Sequence, residues 1–88
     1  MYTVYVIKDR VTGNYLCRCT EHDLLWQVQN PLLAHIHSEL TRCNGYVKQL
    51  QKYANKYITN RKHDLVAVSI SVDPLGITEM EQDRKSVV

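Results

Sequence analysis

Hydrophobic and polar residues alternate along residues 2–8, YTVYVIK, with Thr3, Tyr5 and Ile7 on one side and Tyr2, Val4, Val6 and Lys8 on the other. Alternation with period two in a β-branched and aromatic segment predicts a strand. Gly13 and Asn14 in the following DRVTGN tolerate positive φ, and YLCRC at 15–19 resumes the strand pattern, so residues 2–19 read as a β-hairpin with a longer turn. Residues 20–32 have two readings. Thr20 or Asp23 caps a short helix through LLWQV, or the stretch is a loop that tucks Trp26 into the core.

The pattern changes after Ser38. At 100° per residue Leu40, Cys43, Val47, Leu50, Ala54, Tyr57 and Ile58 share an arc of about 100°, which predicts an amphipathic helix over about 38–59, roughly 33 Å long. Arg42, Lys48, Lys52 and Lys56 fall on the opposite arc together with Gly45, which costs about 1 kcal/mol of helix propensity and leaves no hole in the core. Asn30-Pro31 also suits a helix start, since asparagine caps well and proline has no N–H to lose there, so periodicity alone does not settle residues 32–37.

From Asp64 to Val72, DLVAVSISV places Val66, Val68, Ile70 and Val72 on one face and Leu65, Ala67, Ser69 and Ser71 on the other. This predicts the last strand, 64–72, with its β-branched face toward the helix and its serine face toward solvent. The stretch Asp73-Pro74-Leu75-Gly76 terminates it. The expected organisation is one α+β domain over 1–74, a small antiparallel sheet packed on one helix, followed by a flexible tail over 75–88.

Composition narrows the class of protein without choosing a function. A chain of 88 residues with 44% hydrophobic and 23% charged residues is expected to fold as one domain with a thin core. Its start, MYTVYVIKDR, has no signal-peptide pattern, no apolar run is long enough for a membrane span, and three cysteines, an odd number, cannot form a closed disulfide set, so a cytoplasmic protein with free thiols is expected. The net charge of +2 is unevenly spread. Arg42, Lys48, Lys52, Lys56, Arg61 and Lys62 make the middle basic, whereas Asp64, Asp73, Glu79, Glu81 and Asp83 dominate the end, so the fold carries a dipole.

The opening YVIKDRVTGNYL, Trp26, AHIHS at 34–38, the polar helix and the closing apolar strand together resemble small uncharacterised proteins of phage and prophage genomes. The resemblance covers about residues 2–72. It implies a short third strand over 33–37 with Ala34 and Ile36 on the core face, and a phage source whose protein acts in the host cytoplasm. It also implies a partner class, since such proteins often bind and inhibit host machinery or defence systems such as CRISPR–Cas effectors. Its motifs are structural, so no catalytic residue is carried over.

Candidate chemistry is sparse. Cys17 and Cys19 are two apart, as are His35 and His37, but a flat strand sets i and i+2 side chains about 7 Å apart, too far for shared zinc ligation at about 2.0–2.3 Å. Cys43 lies on the apolar stripe, where a thiolate is disfavoured, and no phosphate loop or nucleophile elbow occurs, so neither catalytic residues nor a metal or cofactor are expected. The strongest candidate surface is the outer helix face, where Lys48, Lys52 and Lys56 form a line with Arg42 beside it and Tyr46 and Tyr53 at its border. A solvated helix face looks the same, because lysine is also a good helix former. Three functions follow as expectations. They are a non-catalytic binder that inhibits a host or defence protein, a nucleic-acid-binding module using the basic face, and an oligomeric component that pairs as a homodimer through an uncovered sheet face.

Overall fold

The computed structural model describes residues 2–17 and 27–82. Five antiparallel strands, β1 (Tyr2–Asp9), β2 (Asn14–Leu16), β3 (Gln27–Val28), β4 (Leu65–Asp73) and β5 (Gly76–Glu81), form one sheet in the order β3-β2-β1-β4-β5. A single helix, α1 (Leu40–Tyr57), packs on it, so the α+β class expected from the pattern is correct. Among the described residues no helix is long and apolar enough to cross a membrane.

The sheet is organised around β1, whose eight residues all pair with β4, from Tyr2↔Val72 to Asp9↔Leu65. Its other edge is shared. Lys8 and Asp9 pair with Tyr15 and Asn14, which closes the expected hairpin through a turn where Gly13 adopts φ 77°. Farther along, Tyr5 exchanges two backbone hydrogen bonds with His37, at 2.9 and 2.8 Å. The predicted hairpin arm at 15–19 is therefore short, and its part beyond residue 17 lies outside the described residues, as do Cys19 and Trp26. Of the LLWQV stretch read as a short helix or a loop, Gln27 and Val28 are neither: they form β3, paired with Leu16 and Tyr15.

Both readings of residues 30–37 are partly realised. Asn30 caps Leu32 N through its side chain and Pro31 opens a 3-10 turn, Pro31–Leu33. The turn stops there because the sheet claims the next backbone groups: His35 N donates to Leu16 O, and His37 joins Tyr5. Instead of a third strand over 33–37 there is one isolated bridge. Ala34 is buried as expected, but Ile36 is 44% exposed, and the residue that turns inward near it is His37.

Alternation along β4 separated its two faces correctly and assigned them the wrong way round. Helix α1 buries Cys43, Val47, Leu50 and Ala54 against Ile7, Leu16, Leu65 and Ala67, on the face that carries the serines. Ala67 is small, so the helix can lie close to the strand. Ser69 satisfies its hydroxyl within the sheet, donating to Met80 O at 3.3 Å and accepting from Gln82 Nε2 at 3.2 Å. The β-branched face is not bare either. Val6, Val66, Val68 and Ile70 are buried there with Tyr15 and Ala34, and Val28 and Leu32 pack against them. A homodimer through an uncovered sheet face has no such face at these residues. The helical stripe holds except at its end, where Tyr57 is 62% exposed and Ile58 is the C-cap rather than a helical residue.

The largest correction concerns residues 76–81, expected in a flexible tail, which form β5. Asp73-Pro74-Leu75-Gly76, read as a terminator, is a two-residue hairpin turn in which Asp73 Oδ1 accepts from Leu75 N at 2.8 Å and Gly76 adopts φ 140°. All six β5 residues are exposed, so no apolar burial signalled the strand. It is held by backbone pairing and by ion pairs to residues some 70 positions away, Lys8–Glu79 at 2.8 Å and Arg10–Glu81. Residues 83–88 of the expected tail lie outside the described residues.

The face assignment has a direct test. Ala67→Leu should lower stability by about 1–3 kcal/mol in urea unfolding, because the added methylenes overpack the seat of α1. A solvent-facing position 67 would tolerate the change within about 0.5 kcal/mol.

Candidate functional site

Helix α1 presents its outer face over the whole of its 18 residues, without an acidic residue in its first turn and with Lys56 in its last. Arg42, Lys48, Lys52 and Lys56 are all exposed. None of them forms an ion pair among the described residues. The cations of the sheet differ. Lys8 binds Glu79, and Arg10 binds both Glu81 and Asp64. The molecule thus neutralises its positive charge on β1 and the following turn and leaves it uncompensated on α1.

The six residues singled out from the sequence do not form one patch. Helical geometry turns Lys48 and Lys52 to one flank, where they border a groove of about 640 Å³ between α1 and β4 that Arg10, Asn44, Gln51 and Asn55 also line. Arg42, Tyr46 and Tyr53 turn to the other flank. Tyr46 packs its ring 5.2 Å from that of His37, which lies 4.8 Å from the ring of His35, and Tyr53 packs 4.8 Å from Tyr57. Lys56 stands between the flanks with its ammonium 5.1 Å from the centre of the Tyr57 ring. On α1 the cation set against a ring is therefore Lys56, over Tyr57, while Arg42, Tyr46 and Tyr53 share a flank apart from Lys48 and Lys52.

His37 adds no charge to the aromatic flank at neutral pH. Burial, then the neighbouring His35 and Arg42, lowers its pKa below the ordinary imidazole value. Cys43 is likewise silent, since burial pushes its thiol up to about 11. Cys17 is half-buried with its Sγ 3.8 Å from Leu33 O, and among the described residues no three His, Cys, Asp or Glu side chains gather as a metal site would require.

The acidic end of the chain is largely engaged. Tyr15 Oη donates to Glu79, and burial followed by that carboxylate pushes the Tyr15 hydroxyl up to about 12, so it stays a donor. Burial alone would raise the Glu79 carboxyl, but Lys8 and Tyr15 outweigh it and hold it below its ordinary value. Asp83 lies outside the described residues.

What anchors the groove escaped the sequence reading. Asp9 is fully buried at the end of β1, where its Oδ1 accepts from Val11 N at 3.0 Å and Asp64 N at 3.2 Å, and its Oδ2 accepts from Gln27 Nε2 at 3.1 Å and His63 Nδ1 at 2.9 Å. Burial raises the Asp9 carboxyl, and these four donors more than offset it, so its pKa lies below the ordinary value. Because an ionised carboxylate only accepts, Nδ1 of His63 carries the proton. On the helix, Gln51 completes the fastening by donating to His63 O at 2.9 Å and accepting from Leu65 N at 2.8 Å. No local pattern signals this cluster.

Compared with protein-family models, curated proteins and solved structures, the chain matches none. The surface must be judged on its own chemistry.

Asp9→Ala should cost about 1–3 kcal/mol or more, because it leaves the buried donors that Asp9 accepts from without their partner, whereas Arg42→Ala should stay within about 0.5 kcal/mol. Because the Asp9 and Glu79 carboxyls are lowered in the folded state, their stabilisation is complete above the ordinary carboxylate range and is lost as pH falls through it, below roughly pH 4. Urea midpoints measured against pH should show this fall, and Glu79→Gln should make it shallower.

Proposed function

We propose that the chain is a small non-catalytic binding protein whose working surface is the outer face of α1 and whose partner is an acidic surface of another protein. The observation that carries this reading is the partition of charge. With fewer acidic than basic residues, the fold sets Glu79, Glu81 and Asp64 against Lys8 and Arg10, and among the described residues Arg42, Lys48, Lys52 and Lys56 of the exposed helix face have no ion-pair partner. Complementary charge of this kind speeds encounter and selects partners more than it adds affinity. The groove beside Lys48 and Lys52 adds the amides of Asn44 and Asn55 as directional hydrogen-bonding groups. The resemblance to phage and prophage proteins supplies the partner class, a host or defence protein that the chain inhibits, with CRISPR–Cas effectors among the candidates.

Arg42, Tyr46 and Tyr53 on one flank, with Lys56 beside them at the middle of the outer face, favour a second reading, single-stranded nucleic acid tracked by the cations and stacked on the rings. Tyr46 and Tyr57 are exposed enough to take part, at 37% and 62%. The two readings use opposite flanks of one helix, and charge reversal distinguishes them.

In nuclease-treated host lysate the wild-type protein should capture a protein partner, and Lys48→Glu with Lys52→Glu should weaken capture about tenfold, on the order of 1.4 kcal/mol, with folding unchanged. In a mobility shift at low salt, loss of binding in Arg42→Glu with Lys56→Glu, and not in the first pair, would select the nucleic-acid reading. Capture that neither pair alters would refute α1 as the working surface.

A further inference from the structure

Strand β5 is the outer edge of the sheet, and its hydrogen-bond phase decides which of its backbone groups remain open. Gln82 N donates to Ala67 O at 2.9 Å, which makes Ala67 and Gln82 a hydrogen-bonded pair. Such pairs alternate along an antiparallel ladder, so Ser69↔Met80, Ser71↔Thr78 and Asp73↔Gly76 are bonded pairs, and Val68↔Glu81, Ile70↔Glu79 and Val72↔Ile77 are not. The N–H and C=O groups of Ile77, Glu79 and Glu81 therefore point away from β4. Among the described residues none of them has a partner.

Natural edges are usually blunted by lysine, proline or a bulge. GITEME contains neither residue, and its register with β4 is continuous. Its charges do not guard the edge in the usual way, because Glu79 and Glu81 lean inward onto Lys8, Tyr15 and Arg10. Their side chains remain 31% and 41% exposed, and Glu81 uses only one of its two oxygens in these bonds. On the opposite face of the strand Met80 is 63% exposed beside Thr78, while Ile77, on the same face as the two glutamates, is 49% exposed.

We propose that this edge accepts an extended peptide alternating basic with apolar residues, which adds a sixth strand to the sheet. Main-chain bonds to Ile77, Glu79 and Glu81 hold the peptide, its lysines or arginines lie over Glu79 and Glu81, and its apolar residues lie beside Thr78 and Met80. A second copy of β5 fits less well. Pairing outward-facing residues with outward-facing residues sets the acidic rows of the two copies on the same face, and like charges across a pair are destabilising. The surface uses no residue of α1, so its test is independent of the function proposed for the helix.

The probe is an acetylated and amidated octapeptide alternating lysine and valine, compared with a peptide of the same composition in two blocks. Amide NMR of the full chain should show saturable shifts and at least about tenfold slower hydrogen exchange at Ile77, Glu79 and Glu81 with the alternating peptide only. Ile77→Pro removes an outward N–H that β4 does not use, and it should abolish these effects while the β1 and β4 resonances persist. Glu79→Gln with Glu81→Gln leaves the backbone intact and should weaken binding several-fold, which keeps the test decisive if the proline variant fails to fold. Equal binding of the block peptide, indifference to these substitutions, or absence of a saturable shift would overturn the proposal. So would exchange that slows with protein concentration alone, since the occupant would then be a second copy.

Discussion

Asp9 ends β1 with a fully buried carboxylate that holds donors from the hairpin turn, from β3 and from the chain entering β4. Its position opposite Leu65 fixes the register of β1 on β4. Everything else in the molecule depends on that register, because a slip of one residue would exchange the two faces of both strands. In the observed register Ile7 and Ala67 lie under α1, Val6 and Val68 lie on the other face, and Lys8 and Arg10 come within reach of Glu79 and Glu81. A buried charge is costly unless it is fully bonded, and the four hydrogen bonds to Asp9 meet that condition.

The register also divides the electrostatics. Positive charge early in the chain meets negative charge late in the chain across β1, β4 and β5, and the acids are used there. Helix α1 lies on the other side of the core and receives none of them. A modest net charge of +2 thus becomes a one-sided basic surface, with an amide-lined groove on one flank and a row of rings on the other. The groove depends on the same fastening, since Gln51 bonds both His63 O and Leu65 N.

What was legible in the sequence is what short-range periodicity encodes. The alternation of β1 and β4 and the arc from Leu40 to Ala54 each report a local geometry, and each is present. Alternation could not say which face of β4 receives the helix, because both faces are buried and only the position of distant segments distinguishes them. Strand β5 was illegible for the opposite reason. It buries nothing, and the ion pairs that fix it are long-range, so GITEME resembles a solvated tail until Lys8 and Arg10 are placed beside it. Five of the six candidate residues are exposed as expected, and Tyr53 is half-buried against the core; their division between two flanks follows from where the core side of α1 sits. The Asp9–His63 pair, 54 positions apart, had no local signature.

The most direct measurement of this charge partition is an acetylation footprint of the native protein, with the modification rate of each lysine read by mass spectrometry. Lys48, Lys52 and Lys56 should react at rates close to those of free lysine, and Lys8, paired with Glu79 and only 25% exposed, should react markedly more slowly. Equal rates at Lys8 and the helix lysines, or protection of the helix lysines in the isolated chain, would contradict the account.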